Sequence, residues 1–279
     1  MHKKSLGLNS STKNRPAKKN LGQNFLTSSN IAKDIVRFGE LANTDTVLEI
    51  GPGTGVMTEF LLETGARVIA VEKDSELFTD LQEKFAKEIK YKQLTLLNAD
   101  ILNFDPKSYK LKAISYKLIA NIPYNITGLI FKKFLTDDAQ PQSMTVMIQK
   151  EVGERILAKD GKESVLSLSI KAYGKPHIVK NVSKRHFLPQ PKVDSVVLHI
   201  SDISRKNFSK IDEKVFFRAI KSGFAHKRKK LMKNLESAFN KKSIKKAFNA
   251  LNLDPSTRAE DLSLDKWLIL TKNLQNRQK

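Results

Sequence analysis

From about residue 30 onward, segments of helical and strand periodicity alternate, and this limits the possible folds more than any other feature. IAKDIVRFGEL carries apolar residues at helical spacing, and TVLEI (46–50) reads as a buried strand. A glycine-rich turn follows, then MTEFLLETG as a helix closed by Gly65. RVIAVE (67–72) and LTLLNAD (94–100) are further strands, separated by a helix over DSELFTDLQEKFAKEI. YKLIAN (116–121), the helix GLIFKKFLT and SMTVMIQ (143–149) continue the series. Strands joined by helices of this length need crossover connections, so the expected core is a parallel sheet covered on both faces. HIVKNVSKRHFLPQPKVDSVVLHI (177–200) breaks the pattern, with two extended stretches around Pro189 and Pro191. It predicts an antiparallel pair at the sheet edge.

After residue 204 the strand signal stops. EKVFFRAIKSGF, KRKKLMKNLESAF, KSIKKAFNAL and LDKWLILTKNL all show helical spacing. The expected organisation is a basic disordered tail (1–19), an α/β domain (20–204) and a small all-α domain (205–279). Charge follows the same division. The net charge of +21 divides into +6 over residues 1–24, +2 over 25–204 and +13 over 205–279. A nearly neutral body between two basic ends is the footprint of a polyphosphate partner, most simply nucleic acid. The chain has no cysteine, which excludes disulfides, thiolate catalysis and zinc–thiolate sites. No apolar run reaches the ~18 residues of a membrane span, and no secretory core opens the chain. The expectation is a soluble cytoplasmic protein that uses no metal.

The turn Glu49-Ile50-Gly51-Pro52-Gly53-Thr54-Gly55 lies between the first strand and its helix. Glycines such as Gly51 and Gly53 let the backbone turn tightly and approach a ligand closely. The spacing is G-x-G-x-G, and an acid, Glu49, sits just ahead of it. A carboxylate there disfavours a pyrophosphate at the helix N-terminus and suits a cationic ammonium or sulfonium group. Glu72 ends the next strand, where a carboxylate can accept two ribose hydroxyls. Asp100 ends the one after, where it can accept an adenine amine. Acids at three successive strand ends match S-adenosylmethionine better than a nicotinamide dinucleotide.

The stretch LIANIPYNIT (118–127) places Asn121, Ile122, Pro123 and Tyr124 at a fourth strand end. Beside a methyl donor, this suits an adenine amine as acceptor. That amine is a poor nucleophile, because its lone pair is delocalised into the ring. The Asn121 side-chain oxygen and a carbonyl of Ile122-Pro123 would accept its N–H bonds and favour a pyramidal nitrogen. Proline fixes the backbone there without donating a hydrogen. Tyr124 offers a flat face for stacking, worth roughly 1–3 kcal/mol. The bland alternative is a turn in which the asparagine bonds its own backbone and the tyrosine packs as core.

GQNFL (22–26), EIGPGTG (49–55), NAD (98–100), NIPYNI (121–126) and FLPQPKVDS (187–195) occur here in one order. Taken together, the chain resembles the ribosomal RNA adenine N6-dimethyltransferases, and within them the KsgA group acting on small-subunit RNA. The resemblance covers residues of about 20–275. It implies a Rossmann-like S-adenosylmethionine-dependent methyltransferase domain followed by a small helical one. It also implies donor contacts from Asn24, Leu26, Gly51, Gly53, Glu72, Asp100, Ile101 and Asn121. Asn121, Pro123 and Tyr124 would hold the target adenine, with Phe187 as a second stacking surface or, equally, a hydrophobic plug. The implied reaction is N6,N6-dimethylation of two adjacent adenosines in a 3'-terminal hairpin of 16S RNA, by a monomer acting on the assembling 30S particle.

Lys227, Arg228, Lys229, Lys230 and Lys233 are expected at the start of a helix anchored by Phe224 and Leu231, facing RNA phosphates. A base inside folded RNA must leave its stack to enter a deep pocket. Rival readings are a large-subunit RNA methyltransferase of the macrolide-resistance type and a non-catalytic RNA-binding or assembly factor. A nicotinamide-dependent dehydrogenase is disfavoured by Glu49.

Overall fold

The structure, a computed structural model, describes Ala17, Lys18 and residues 21–275. The expected disordered tail therefore lies almost wholly outside the described residues. The first half of the chain forms β1 (Phe25–Leu26), α1 (Ser29–Phe38), β2 (Thr46–Ile50), α2 (Val56–Glu63) and β3 (Arg67–Glu72). Next come α3 (Ser75–Lys84), α4 (Ala86–Lys90), β4 (Leu94–Asn98), β5 (Lys117–Asn121), α5 (Thr127–Thr136) and β6 (Ser143–Gln149). The remainder forms α6 (Lys150–Leu157), α7 (Val165–Lys171), β7 (Lys175–Val182), β8 (Phe187–Leu188) and β9 (Ser195–Ser201). Four helices close the chain: α8 (Glu213–Gly223), α9 (Leu231–Leu235), α10 (Lys241–Ala250) and α11 (Leu264–Gln275).

Seven of these strands form one sheet in the order β4-β3-β2-β5-β6-β9-β7. The run from β4 to β6 is parallel, while β9 is antiparallel to both β6 and β7. The edge pair is thus antiparallel as expected, and β1 and β8 form a separate two-stranded ribbon. Sequence order runs outward in both directions from β2 and β5, and such a reversal opens a crevice at the strands' carboxyl ends.

Strand pleating sorts side chains between two clusters, because successive residues point to opposite faces. Leu48 and Ile50 of β2 and Leu118 and Ala120 of β5 join one face, with α5, α7 and the C-terminal helices. Val47 and Ile119 join the other face, under α1 and α2. The expected helix over 74–89 is interrupted at Phe85, whose ring is buried in that second cluster.

The helical segment shares the first cluster with the sheet: Phe216, Ile220, Trp267 and Leu270 belong with Leu198 and Ile200. Trp267 is fully buried and donates its indole N–H to the Ala259 carbonyl at 3.3 Å. Polar ties cross the same junction. Arg205 pairs with Glu213 and donates to the Thr136 carbonyl at 2.6 Å, and Lys162 meets Glu260 at 2.8 Å. No helix among the described residues is long and apolar enough to cross a membrane.

Candidate active site

A cavity opens at the crevice, on the carboxyl ends of the parallel strands, and its walls come from four consecutive strand ends and the GQNFL segment. Gly51 and Gly53 follow β2, Glu72 ends β3, Asp100 and Ile101 follow β4, and Asn121 ends β5. Asn24 and Leu26 complete the wall from the N-terminal side. All eight residues expected on the donor therefore line one space. Gly51 has φ +62°, and a Cβ built on it would meet nothing within 4 Å, so its backbone faces the open cavity. Its glycine is required by the left-handed turn rather than by crowding.

Glu72 is 5 % exposed, and each of its oxygens is held by a backbone donor, Gly53 N–H at 3.0 Å and Asp74 N–H at 2.9 Å. Burial raises its pKa, and these two hydrogen bonds act against the rise. Asp100 caps the short turn after β4, accepting from Leu102 N–H at 2.9 Å, and meets the Lys73 ammonium at 2.8 Å. The Lys73 hydrogen bond is the main reason its pKa is lowered. The two acids thus differ: Glu72 is desolvated and locked, whereas Asp100 is charged and partly exposed.

Glu49, expected to greet a cationic group, does not line the cavity. It lies inside β2, and pleating turns it to the Val47 face, where it is fully buried under α2. Its Oε2 accepts from the Thr58 hydroxyl at 2.8 Å, and its Oε1 has no hydrogen-bond partner among the described residues. Burial pushes its pKa to about 8, so it is largely neutral at neutral pH and offers no charge to a ligand. Glu49 is corrected from a ligand contact to a buried acid bonded to α2.

Asn121 is the last residue of β5, and its side-chain N–H donates to the Asn24 carbonyl at 3.2 Å. That bond uses the amide nitrogen and directs the amide oxygen away from Asn24. In the loop beyond, the Pro123 carbonyl accepts from Ile126 N–H at 3.2 Å and from the Thr127 hydroxyl at 3.5 Å. Of the two carbonyls considered from sequence, that of Ile122 is the one with no such donor among the described residues. Tyr124 lines the cavity half-buried, and its hydroxyl shares a 2.8 Å hydrogen bond with Ser195 Oγ at the start of β9. Burial raises the pKa of this phenol, which stays protonated. Ser195 closes the FLPQPKVDS motif, but its pairing with Tyr124 has no local sequence signal, because the two are 71 residues apart.

Phe187 departs from the stacking expectation. It is 4 % exposed, outside the cavity wall, and packed in the second cluster with Leu26, its partner across the β1–β8 ribbon. A strand pairing between residues so distant in sequence turns the ring inward. In this arrangement the ring supports the Leu26 wall.

Lys227, Arg228, Lys229 and Lys230 are exposed, but they form a turn between α8 and α9 rather than the start of a helix. Residues 225–230 offer no buried apolar side chain, so nothing holds a helical turn there; the first anchor is Leu231, fully buried. Phe224 stacks on Trp267 at 5.9 Å. Lys233 is exposed and paired with Glu236 at 2.9 Å. Lys241, Lys242, Lys245 and Lys246, not singled out by sequence, extend the basic surface along α10, whose Ile244, Ala247 and Phe248 face inward. Their helical spacing against that apolar stripe is the available signal.

The site fits S-adenosylmethionine. The open face at Gly51, the immobilised acceptor oxygens of Glu72 and the polar edge at Asp100 suit a nucleoside that carries a charged tail. Among the described residues no group of three or more acids and histidines is placed to hold a metal ion.

The model of the family described as "Ribosomal RNA adenine dimethylase" matches residues 14–276. A "Ribosomal RNA small subunit methyltransferase A" of Dehalococcoides mccartyi is 38 % identical over 256 residues, covering 91 % of this chain and 87 % of the relative. The protein of the same name from Clostridium botulinum is 38 % identical over 252 residues, covering 89 % and 90 %. Among solved structures, a dimethyladenosine transferase from Plasmodium falciparum superposes with a TM-score of 0.76 at 25 % identity, covering 88 % of this chain and 95 % of that one.

Proposed function

Because the chain belongs to the ribosomal RNA adenine dimethylase family, we propose that it dimethylates N6 of two adjacent adenosines in the 3'-terminal hairpin of small-subunit ribosomal RNA. The observation that carries this reading is Asn121. Its amide N–H donates to the Asn24 carbonyl, and the residue lines the same cavity as the acids at the ends of β3 and β4.

S-adenosylmethionine, when bound, supplies an electrophilic methyl group on a sulfonium. The chain's own part is to bind, orient and shield. Glu72 would accept from the donor's ribose hydroxyls, Asp100 and Ile101 would hold its adenine, and Gly51, Gly53, Asn24 and Leu26 would hold its tail. The target adenine stacks on Tyr124, whose tilt is set by Ser195. Asn121 Oδ1 and the Ile122 carbonyl accept the two N–H bonds of its amine, which frees the nitrogen lone pair. Pro123 holds the carbonyl in place and adds no competing donor. The rate gain is mainly one of positioning. No strong base lies in the loop and none is required, since the methylated amine is acidic enough to lose its proton to an acceptor or to water.

The basic surface at 227–233 and along α10 docks the RNA through phosphates, so recognition follows RNA shape more than base sequence. The target base is flipped out to enter the cavity. The substrate context is the assembling 30S particle, and the protein acts in the cytoplasm as a monomer. The test is methyl transfer from labelled donor to isolated 30S particles, compared with deproteinised large-subunit RNA. Incorporation at two adjacent adenosines of the small-subunit RNA is expected, and preference for the large-subunit RNA overturns the reading.

A further inference from the structure

Asp74 is bonded more heavily than its place in the fold requires. It is the N-cap of α3, a role met by one bond from Glu76 N–H to its side chain at 3.1 Å. Its side chain is nevertheless only 3 % exposed, and its carboxylate takes two further donors from the N-terminal segment. Lys18 Nζ reaches Oδ1 at 2.8 Å, and Gln23 Nε2 reaches Oδ2 at 2.9 Å. The ring closes on itself, because Gln23 Oε1 accepts from Lys18 N–H at 2.7 Å.

The segment so held is part of the cavity wall: Leu21, Gly22, Gln23 and Asn24 all line it. Its far end rests on the adenine loop. Gly22 has φ +65°, and a Cβ there would lie 2.8 Å from Asn125 Oδ1 and 3.5 Å from Pro123 Cβ. The Asn24 carbonyl accepts from the Asn121 amide. At the near end, the Asp74 N–H donates to Glu72 Oε1 at 2.9 Å. Lys18, Leu21, Gly22 and Gln23 are none of them buried, so polar contacts rather than apolar packing hold these residues beside the cavity.

We propose that Asp74 is a positioning residue for donor capture, holding Lys18 and Gln23 and, through them, the Leu21–Asn24 stretch against the cavity. The inference rests on the assignment of that cavity to S-adenosylmethionine. An open segment leaves the donor exposed along one wall, and a closed one encloses it. The clasp touches none of the reacting atoms, so its loss lowers affinity for the donor and leaves turnover at saturating donor nearly intact. The charged hydrogen bond of Gln23 is expected to contribute about tenfold to affinity, and the half-exposed Lys18 pair no more than about fivefold.

The experiment is calorimetric titration of the full chain with S-adenosylmethionine in the absence of RNA. Wild type comes first: failure to bind removes the cavity assignment itself, before the clasp is tested. Asp74→Ser keeps a good N-cap for α3 but is too short to reach Lys18 and Gln23. It is expected to raise the donor Kd about tenfold while leaving the melting temperature of the donor-free chain unchanged. Gln23→Ala, on the surface segment, is expected to reproduce the loss and to add little in the Asp74→Ser background. Lys18→Met is expected to weaken binding, and Lys18→Arg to retain it. With RNA present, KM for the donor rises in these variants while kcat stays within about twofold. Wild-type affinity in Asp74→Ser and Gln23→Ala, full additivity between them, or a fall in kcat without a change in Kd overturns the proposal.

Discussion

The cavity at the strand ends and the surface of the C-terminal helices hold opposite charges in opposite ways. In the cavity, Glu72 is almost fully buried and each oxygen has a fixed backbone donor. On the helical side, Lys227, Arg228, Lys229 and Lys230 stand in solvent on a turn, and four more lysines follow along α10. One arrangement fixes individual atoms, so a single substitution has a steep effect. The other spreads charge over a surface, so single substitutions matter little and salt matters a great deal. Under the proposed function, the first decides chemistry and the second decides docking.

The sharpest way to break this division is Asn121→Ala. Methyl transfer is expected to fall at least about 100-fold, while RNA affinity in a filter-binding assay stays at the wild-type value. Normal transfer by this variant would refute amine positioning. Tyr124→Ala follows, with an expected loss of roughly 1–3 kcal/mol in kcat/KM for RNA. Tyr124→Phe, which keeps the ring but not its bond to Ser195, should lose only about 0.5–1.5 kcal/mol.

On the other side, replacing Lys227, Lys229 and Lys230 together with alanine should leave donor binding unchanged. The slope of log affinity against log salt should become shallower by roughly 0.7–0.9 for each phosphate that the variant no longer neutralises. An unchanged slope in RNA titrations would mean that this turn does not meet RNA. Adding Lys245→Ala and Lys246→Ala should extend the same trend.

The smallest effect concerns stability rather than activity. Glu49 has its pKa raised by burial from the usual 4.5 to about 8 in the folded chain. The unfolded chain therefore loses this proton first as pH rises. The corresponding stability is complete below about pH 4.5 and declines until pH passes about 8, with a slope of at most roughly 1.4 kcal/mol per unit. Glu49→Gln mimics the neutral form and should flatten this decline, with its largest gain in melting temperature near pH 8 and little near pH 4. Equal gains at both pH values would show that Glu49 does not titrate within this window.

The parts of this molecule that sequence makes legible are those written in local periodicity. Apolar runs such as TVLEI and KLIAN mark the strands, and in a parallel sheet the residues just past them must gather at one rim. Asn121, Glu72 and Asp100 are identifiable for that reason. Glu49 misleads because it stands within a strand rather than beyond one, and Val47 two residues earlier already marks its face. The basic turn misleads because a run of cations satisfies a helical pattern without supplying an inward-facing side chain. Phe187, Ser195 and Asp74 depend on contacts with distant parts of the chain, as in the Lys18–Asp74 pair 56 residues apart, and no window of neighbouring residues contains them.

Strand β9 runs against its neighbour β6, so it delivers its opening residue to the rim where the parallel strands deliver their closing ones. Ser195 consequently reaches the rim on a strand that carries none of the residues proposed to hold the donor, although the loop leading into it starts at β8, which pairs with the Leu26 strand. If the proposed roles hold, changes of composition within 189–194, beyond the β1–β8 pairing, would retune how the acceptor base is received while leaving the methyl source's wall in place, giving this scaffold separate adjustment of its two substrates.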